Sequence, residues 1–145
     1  MKLRTIGYEA ATQAAVIACL KDARVEVLID VRAIASSRRA GFSKTLLAAS
    51  LAEAGIDYVH LRALGTPKAG RQAVRAGRVA EMERIYEAHL AEPEAQLQLV
   101  EALDIAKRRP AALLCYEADP LHCHRRIVAG RLTQAAKFEV EDLRP

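Results

Sequence analysis

Tryptophan is absent, and only two phenylalanines and four tyrosines occur among 145 residues. An extended platform for stacking single-stranded bases needs more rings than this. Cysteine is scarce as well. Three residues do not suggest the disulfide framework of a small secreted domain. The start, MKLRTIGYEA, carries no apolar signal core. No apolar run approaches the roughly 20 residues of a membrane-spanning helix. Repeats, low-complexity segments and linkers are missing too. From these absences we expect a cytoplasmic protein without a membrane partner. With 52% hydrophobic residues, the chain has enough apolar material to form one domain over residues 1–145.

Acids are missing locally, although the net charge is only +4. Between Val31 and Ala52 lie Arg32, Arg38, Arg39 and Lys44, with no Asp or Glu. Between Arg62 and Ala80 lie Arg62, Lys68, Arg71, Arg75 and Arg78, again with none. The carboxylates collect at Glu81 to Asp104 and at Glu139 to Asp142. Segregated charge favours an anionic partner: phosphate, nucleotide or nucleic acid. Solvated loops in an arginine-rich chain would look the same.

Strand and helix patterns alternate. Leu3 to Tyr8 reads as a strand, and Thr12 to Asp22 as a helix. VEVLIDV, from Val25 to Val31, is the β-branched run of a strand buried on both faces. After a loop from Arg32 to Phe42, Ser43 is placed to cap a helix that Gly55 ends. Ile56 to Leu61 is a third strand. Gly65, Pro67 and Gly70 predict a second basic loop. Val79 to Arg109 reads as helical, divided near Pro93. Ala112 to Tyr116 is a fourth strand. Asp119-Pro120 suits the start of a helix running to about Ala136. Phe138 to Leu143 is a last strand. The pattern predicts an α/β fold: a mainly parallel sheet of about five strands, Rossmann-like, with helices on both faces.

Ligands in such folds bind beyond the carboxyl ends of the strands. That edge gathers the chemically suggestive residues, above all in AALLCYEADPLHCHRR from Ala111 to Arg126. Strand alternation points Cys115 and Glu117 to one side. Cys123 is expected in the first turn of the last helix, where the helix dipole favours a thiolate. His124 suits proton transfer near neutral pH. Arg32, Ser37, Arg38, Arg39 and Arg125 are candidates to hold an anion, because guanidinium pairs with oxyanions in bidentate fashion. Tyr8, Glu9, Asp30 and His60 fall on the same rim as pocket candidates. Each residue also has a plainer reading. Cys115 fits a small core residue, Asp30 and Glu117 fit holders of loop amides, and His60 fits a hydrogen-bonded structural histidine. A metal shell of Cys115, Glu117, Cys123 and His124 is a rival, although its spacing is not that of a zinc finger. A Cys115–Cys123 redox pair is another, without the Cys-x-x-Cys arrangement.

Taken together, TIGYE at Thr5 to Glu9, LIDVR at Leu28 to Arg32, SRRAGFSK at Ser37 to Lys44, YVHLRALGTP at Tyr58 to Pro67 and LLCYEADPLHCHR at Leu113 to Arg125 resemble the family called Domain of Unknown Function 488. The resemblance spans nearly the whole chain. It implies that Cys115, Glu117, Cys123, His124 and Arg125 form the site, and it implies no established activity. Ala35 and Ala40 stand where the family often has proline, which loosens the loop without removing a reactive group. A more distant likeness is to rhodanese and cysteine phosphatase domains, in LIDVR and in a cysteine ending a later strand. Those enzymes place an arginine five or six residues after the cysteine. Here those positions hold Pro120 and Leu121, or Val128 and Ala129. The rhodanese-like element is therefore one of fold, without the standard anion loop.

Three functional classes follow. The first is cysteine-dependent group transfer on an anionic substrate, with Cys123 as the first choice of nucleophile and no cofactor. The second is a non-catalytic module binding nucleotide or nucleic acid through two basic loops. The third is a metal-stabilised structural domain.

Overall fold

A computed structural model describes all residues from Met1 to Pro145. Five strands form a single sheet: β1 (Lys2–Gly7), β2 (Val27–Asp30), β3 (Asp57–His60), β4 (Ala111–Cys115) and β5 (Glu139–Leu143). Their spatial order is β3-β2-β4-β1-β5, and every neighbouring pair is parallel. Six helices connect them: α1 (Gln13–Asp22), α2 (Lys44–Glu53), α3 (Lys68–Arg75), α4 (Val79–Leu90), α5 (Pro93–Arg108) and α6 (Arg125–Ala135). The expected α/β class and parallel sheet are therefore the observed ones. No helix is long and apolar enough to cross a membrane.

The buried strands explain why the pattern was readable. Along β2, Val27, Ile29 and Val31 point into one apolar layer, and Leu28 points into the other. Along β4, Ala111, Leu113 and Cys115 share the first layer, and Ala112 and Leu114 the second. This is the period-two alternation of a strand covered on both faces. Helices α1 and α2 supply Val16, Leu20, Leu47 and Leu51 to one layer. Helices α4, α5 and α6 supply Met82, Tyr86, Ala102 and Val128 to the other.

This division locates the functional rim. The chain leaves β1 and β2 toward the α1–α2 face, and it leaves β4 toward the α6 face. Strand β4 lies between β1 and β2, so the path switches faces on either side of it. Clefts open at such switch points, at the carboxyl ends of the strands.

Two expectations need correction. The second basic segment is not all loop, because Lys68–Arg75 forms α3. Gly70 is no breaker there: a Cβ would lie 2.4 Å from Thr66 Cγ2, so the helix needs a small residue at this position. The last helix does not begin at Asp119-Pro120. Those residues open a one-turn 3₁₀ helix, Pro120–His122, with the Asp119 carboxylate accepting from the Leu121 amide at 3.0 Å. Cys123 then adopts extended backbone, and α6 begins at Arg125. Cys123 is therefore outside the helix, and the dipole argument for its thiolate does not apply. Ser43 does hold the N-cap position of α2, but its hydroxyl binds the Ser37 backbone instead of a helix amide.

Gly7 marks the tightest backbone approach at the rim. A Cβ on it would lie 1.9 Å from the Glu117 carbonyl oxygen. Gly7→Ala must push β1 away from the loop after β4. We expect a loss of about 1–3 kcal/mol, as for other overpacked interiors, read from the urea unfolding midpoint.

Candidate functional site

The second strand ends in a buried ion pair. The Asp30 carboxylate receives Arg32 Nε at 2.9 Å and Arg32 Nη2 at 2.7 Å, and it accepts the Arg32 amide at 3.0 Å. Tyr58 donates its hydroxyl to Asp30 Oδ2 at 2.5 Å. Arg32 Nη1 donates to the Tyr8 hydroxyl at 3.1 Å and to the Phe42 carbonyl at 2.8 Å. Burial by itself would lower the Arg32 pKa, but the hydrogen bonds and charge of Asp30 outweigh it and push it up. Of the five guanidinium N–H groups, four are thus committed within the protein. Arg32 lines the cavity with one donor to spare and otherwise acts as a strut. Tyr8 stacks on Phe42 at 4.3 Å between ring centres and meets Tyr116 edge-on at 5.3 Å.

The fourth strand delivers the sulfur. Cys115 and Cys123 are joined in a disulfide, with Sγ atoms 2.09 Å apart. Glu117, two residues beyond Cys115 on the same side, places Oε2 2.9 Å from Cys115 Sγ. Burial raises the Glu117 carboxyl pKa above its ordinary value, against the pull of Arg125. His124 is buried and lies edge-on to Tyr86. Its Nε2 is 2.6 Å from the Val31 carbonyl, and its Nδ1 is 3.8 Å from each of the two sulfurs. A carbonyl can only accept, so Nε2 carries the proton and Nδ1 presents a lone pair to the sulfurs. Burial pushes the His124 pKa down to about 4, so the ring is neutral near pH 7.

Arg125 is fully buried and holds the loop from behind. Its guanidinium donates to the carbonyls of Glu117 and Ala118. Desolvation by burial lowers its pKa. It does not face the cavity, so its place is that of a backbone clamp and not of an anion ligand. The loop has a second holder: Glu9 Oε1 accepts the Ala118 amide at 3.1 Å.

A cavity of about 400 Å³ opens above these residues. Its wall includes Tyr8, Arg32, Ser36, Cys115, Glu117 and His124 from the strand ends. Helix α3 contributes Arg71, Val74 and Arg75, and Thr66, Tyr116 and His122 complete the polar lining. Arg71 also donates to the Thr66 carbonyl at 2.8 Å, while Arg75 is exposed without an ion-pair partner. Arg32 is paired with Asp30, so the cavity-wall charges are Arg71 and Arg75 against the single lining carboxylate of Glu117, which favours an anionic guest.

Of the sequence candidates, Cys115, Glu117, His124, Arg32 and Tyr8 meet in this cavity. Cys123 reaches it only through its bond to Cys115. Ser37, Arg38 and Arg39 sit apart. Arg38 is exposed, Arg39 donates to the Ala11 carbonyl at 2.6 Å, and Ser37 accepts the Arg39 amide. Asp30 lies beneath the floor, and His60 Nε2 pairs with the Arg32 carbonyl at 2.7 Å. Arg71 and Arg75 were missing from the predicted site. Their spacing of four, in an acid-free stretch, was the signal, and it became usable once the stretch was a helix.

Fold and site define a parallel α/β domain with a cysteine pair and a neutral histidine at the switch point of its sheet. Residues 12–132 match the family described as Domain of unknown function DUF488, and the chain belongs to that family. No curated protein and no solved structure matches it.

Two outcomes follow from the buried groups. An unfolded imidazole titrates near 6.5. Between there and about 4 the unfolded chain binds a proton that folded His124 refuses. The stability contributed by neutral His124 is complete above about pH 6.5 and is lost as pH falls toward 4, at most about 3 kcal/mol. Urea midpoints across that window should fall more steeply for the native protein than for His124→Gln. Separately, Asp30→Ala leaves a buried guanidinium without its carboxylate and should cost about 3–5 kcal/mol by denaturant unfolding.

Proposed function

We propose that the reduced protein catalyses cysteine-dependent group transfer on a small anionic substrate, with Cys115 as the nucleophile. The observation that carries this reading is that Cys115 alone among the three cysteines lines the arginine-walled cavity. Cys123 is buried behind it, and Cys19 sits on α1. The cavity is concave and suits a small phosphate-, sulfur- or nucleotide-containing anion better than a polymer.

The chemistry asks little more than these side chains. Glu117, with Oε2 2.9 Å from Cys115 Sγ, takes the thiol proton, while the neutral His124 Nδ1 faces the sulfur. The thiolate attacks the electrophilic sulfur or phosphorus of the substrate, which forms a bond from Cys115 Sγ to the transferred group. The bond to the leaving group breaks, and Glu117, whose pKa burial raises, returns the thiol proton to it. An acceptor nucleophile then takes the group and restores the thiolate. Arg71 and Arg75 hold the anion throughout. When the transferred atom is sulfur, Cys123 is placed to displace it, which releases a sulfide and closes the Cys115–Cys123 bond.

Alkylation against pH, read for each cysteine by peptide mass spectrometry, tests the reading. In reduced protein Cys115 should label faster than Cys123, and phosphate or sulfate should protect it. A carboxylate beside a thiol opposes its ionisation, so Glu117→Gln should move the Cys115 labelling midpoint to lower pH. Paired loss of Arg71 and Arg75 to alanine should move it to higher pH and abolish protection by anions. Equal, slow labelling of both cysteines in folded protein would overturn the proposal.

A further inference from the structure

The same pair of sulfurs has a second use when reduced. We propose that Cys115 Sγ, Cys123 Sγ and His124 Nδ1 bind one divalent transition-metal ion of the zinc class, with the fourth position open to the cavity. The inference uses the residues of the proposed site but not the reactivity of Cys115.

The donor atoms are already gathered. The two sulfurs and Nδ1 lie within 4.8 Å of one another, and all three residues are buried. Bonds of about 2.3 Å to sulfur and about 2.05 Å to nitrogen, at the tetrahedral angle, separate a sulfur from a nitrogen by about 3.6 Å. Nδ1 lies 3.8 Å from each sulfur. The backbone leaves room as well. The Cα atoms of the two cysteines stand 7.3 Å apart, wider than the roughly 4.4–6.8 Å usual for a disulfide. Reduced sulfurs can therefore part to the roughly 3.8 Å that two thiolates on one tetrahedral ion require.

The surroundings match those of a ligating histidine. Such a ring donates its other N–H to a carboxylate or carbonyl, which fixes its tautomer and its aim. Val31 supplies that carbonyl at 2.6 Å from Nε2. Glu117 Oε2 lies 2.9 Å from Cys115 Sγ on the cavity side but outside the cluster of three donors, so the fourth position faces the cavity. Sulfur and imidazole donors select zinc, cobalt and copper over magnesium and calcium. The short spacing of paired ligands in zinc fingers is absent because the donors converge through the fold: Cys115 ends β4, and the clamped loop returns Cys123 and His124 to it.

Metal and disulfide are alternative occupants of one place. Binding to the reduced protein converts two thiols to thiolates and releases their two protons to solvent.

The test is a titration of cobalt(II) into full-length protein, reduced with a phosphine and desalted anaerobically. A thiolate-to-cobalt charge-transfer band should grow to one equivalent and should be displaced by one equivalent of zinc. Cys19→Ser should give the same band. Cys115→Ser and Cys123→Ser should lose most of it, and His124→Gln should weaken cobalt affinity at least tenfold. Zinc should raise the melting temperature of the reduced protein and not that of the oxidised protein. A folded reduced protein without the band, or with the full band in Cys115→Ser, would overturn the inference. Metal binding with a slowly alkylating Cys115, or fast alkylation without the band, would separate it from the group-transfer reading.

Discussion

The rim depends on the buried carboxylate of Asp30. A charge with no solvent must be paired and hydrogen-bonded, or it costs several kcal/mol. Asp30 meets that demand with Arg32 and Tyr58, and Arg32 meets its own with Tyr8 and the Phe42 carbonyl. One ion pair therefore draws together the ends of β1, β2 and β3 and the start of α2. Its neighbours extend the effect. The Arg32 carbonyl takes His60, and the Val31 carbonyl takes His124. Three consecutive residues of one strand end thus set the floor of the cavity and the tautomer of the histidine above it.

Arg125 repeats the logic on the other side of β4. The loop from Glu117 to His122 carries carbonyls that no strand pairs, and a buried guanidinium satisfies two of them. Gly7 lets that loop lie directly on β1. Two arginines that sequence alone presents as anion ligands are thereby spent largely on the protein's own acceptors. The cavity-facing positive charge falls to α3, whose Arg71 and Arg75 line the wall.

The legible and illegible parts divide along physical lines. Strands such as VLID and AALLC are covered on both faces, so their apolar runs announce them, and parallel order follows from the intervening helices. The placement of Cys115 and Glu117 on one side was legible too, because strand alternation fixes which side chains share a face. Hydrogen-bond partners were not. Whether a guanidinium finds a carbonyl or a ligand depends on loops that are remote in sequence. Helix α3 was hidden by Gly65, Pro67 and Gly70, which act there as entry points and a close-packing site. The start of α6 was hidden by an Asp-Pro pair that caps a single 3₁₀ turn instead.

That last difference changes the chemistry of the site. Within a helical first turn, Cys123 would have had amides and a dipole to favour its thiolate. In extended backbone it has a single amide, already given to the Pro120 carbonyl, and it does not line the cavity that Arg71 and Arg75 face. Its stable forms are those that remove or share its charge: bonded to Cys115, protonated, or bound to a cation. Cys115 differs because it opens onto the arginine wall. In the proposed reaction, a substrate anion entering there competes with the Cys115 thiolate for the same charges, and an ionised Glu117 opposes both. A neutral His124 is what lets these states interchange. Its Nδ1 lone pair can face a thiol, stand beside a disulfide or, in the proposed metal site, donate to the ion, with the ring held in place throughout by the Val31 carbonyl.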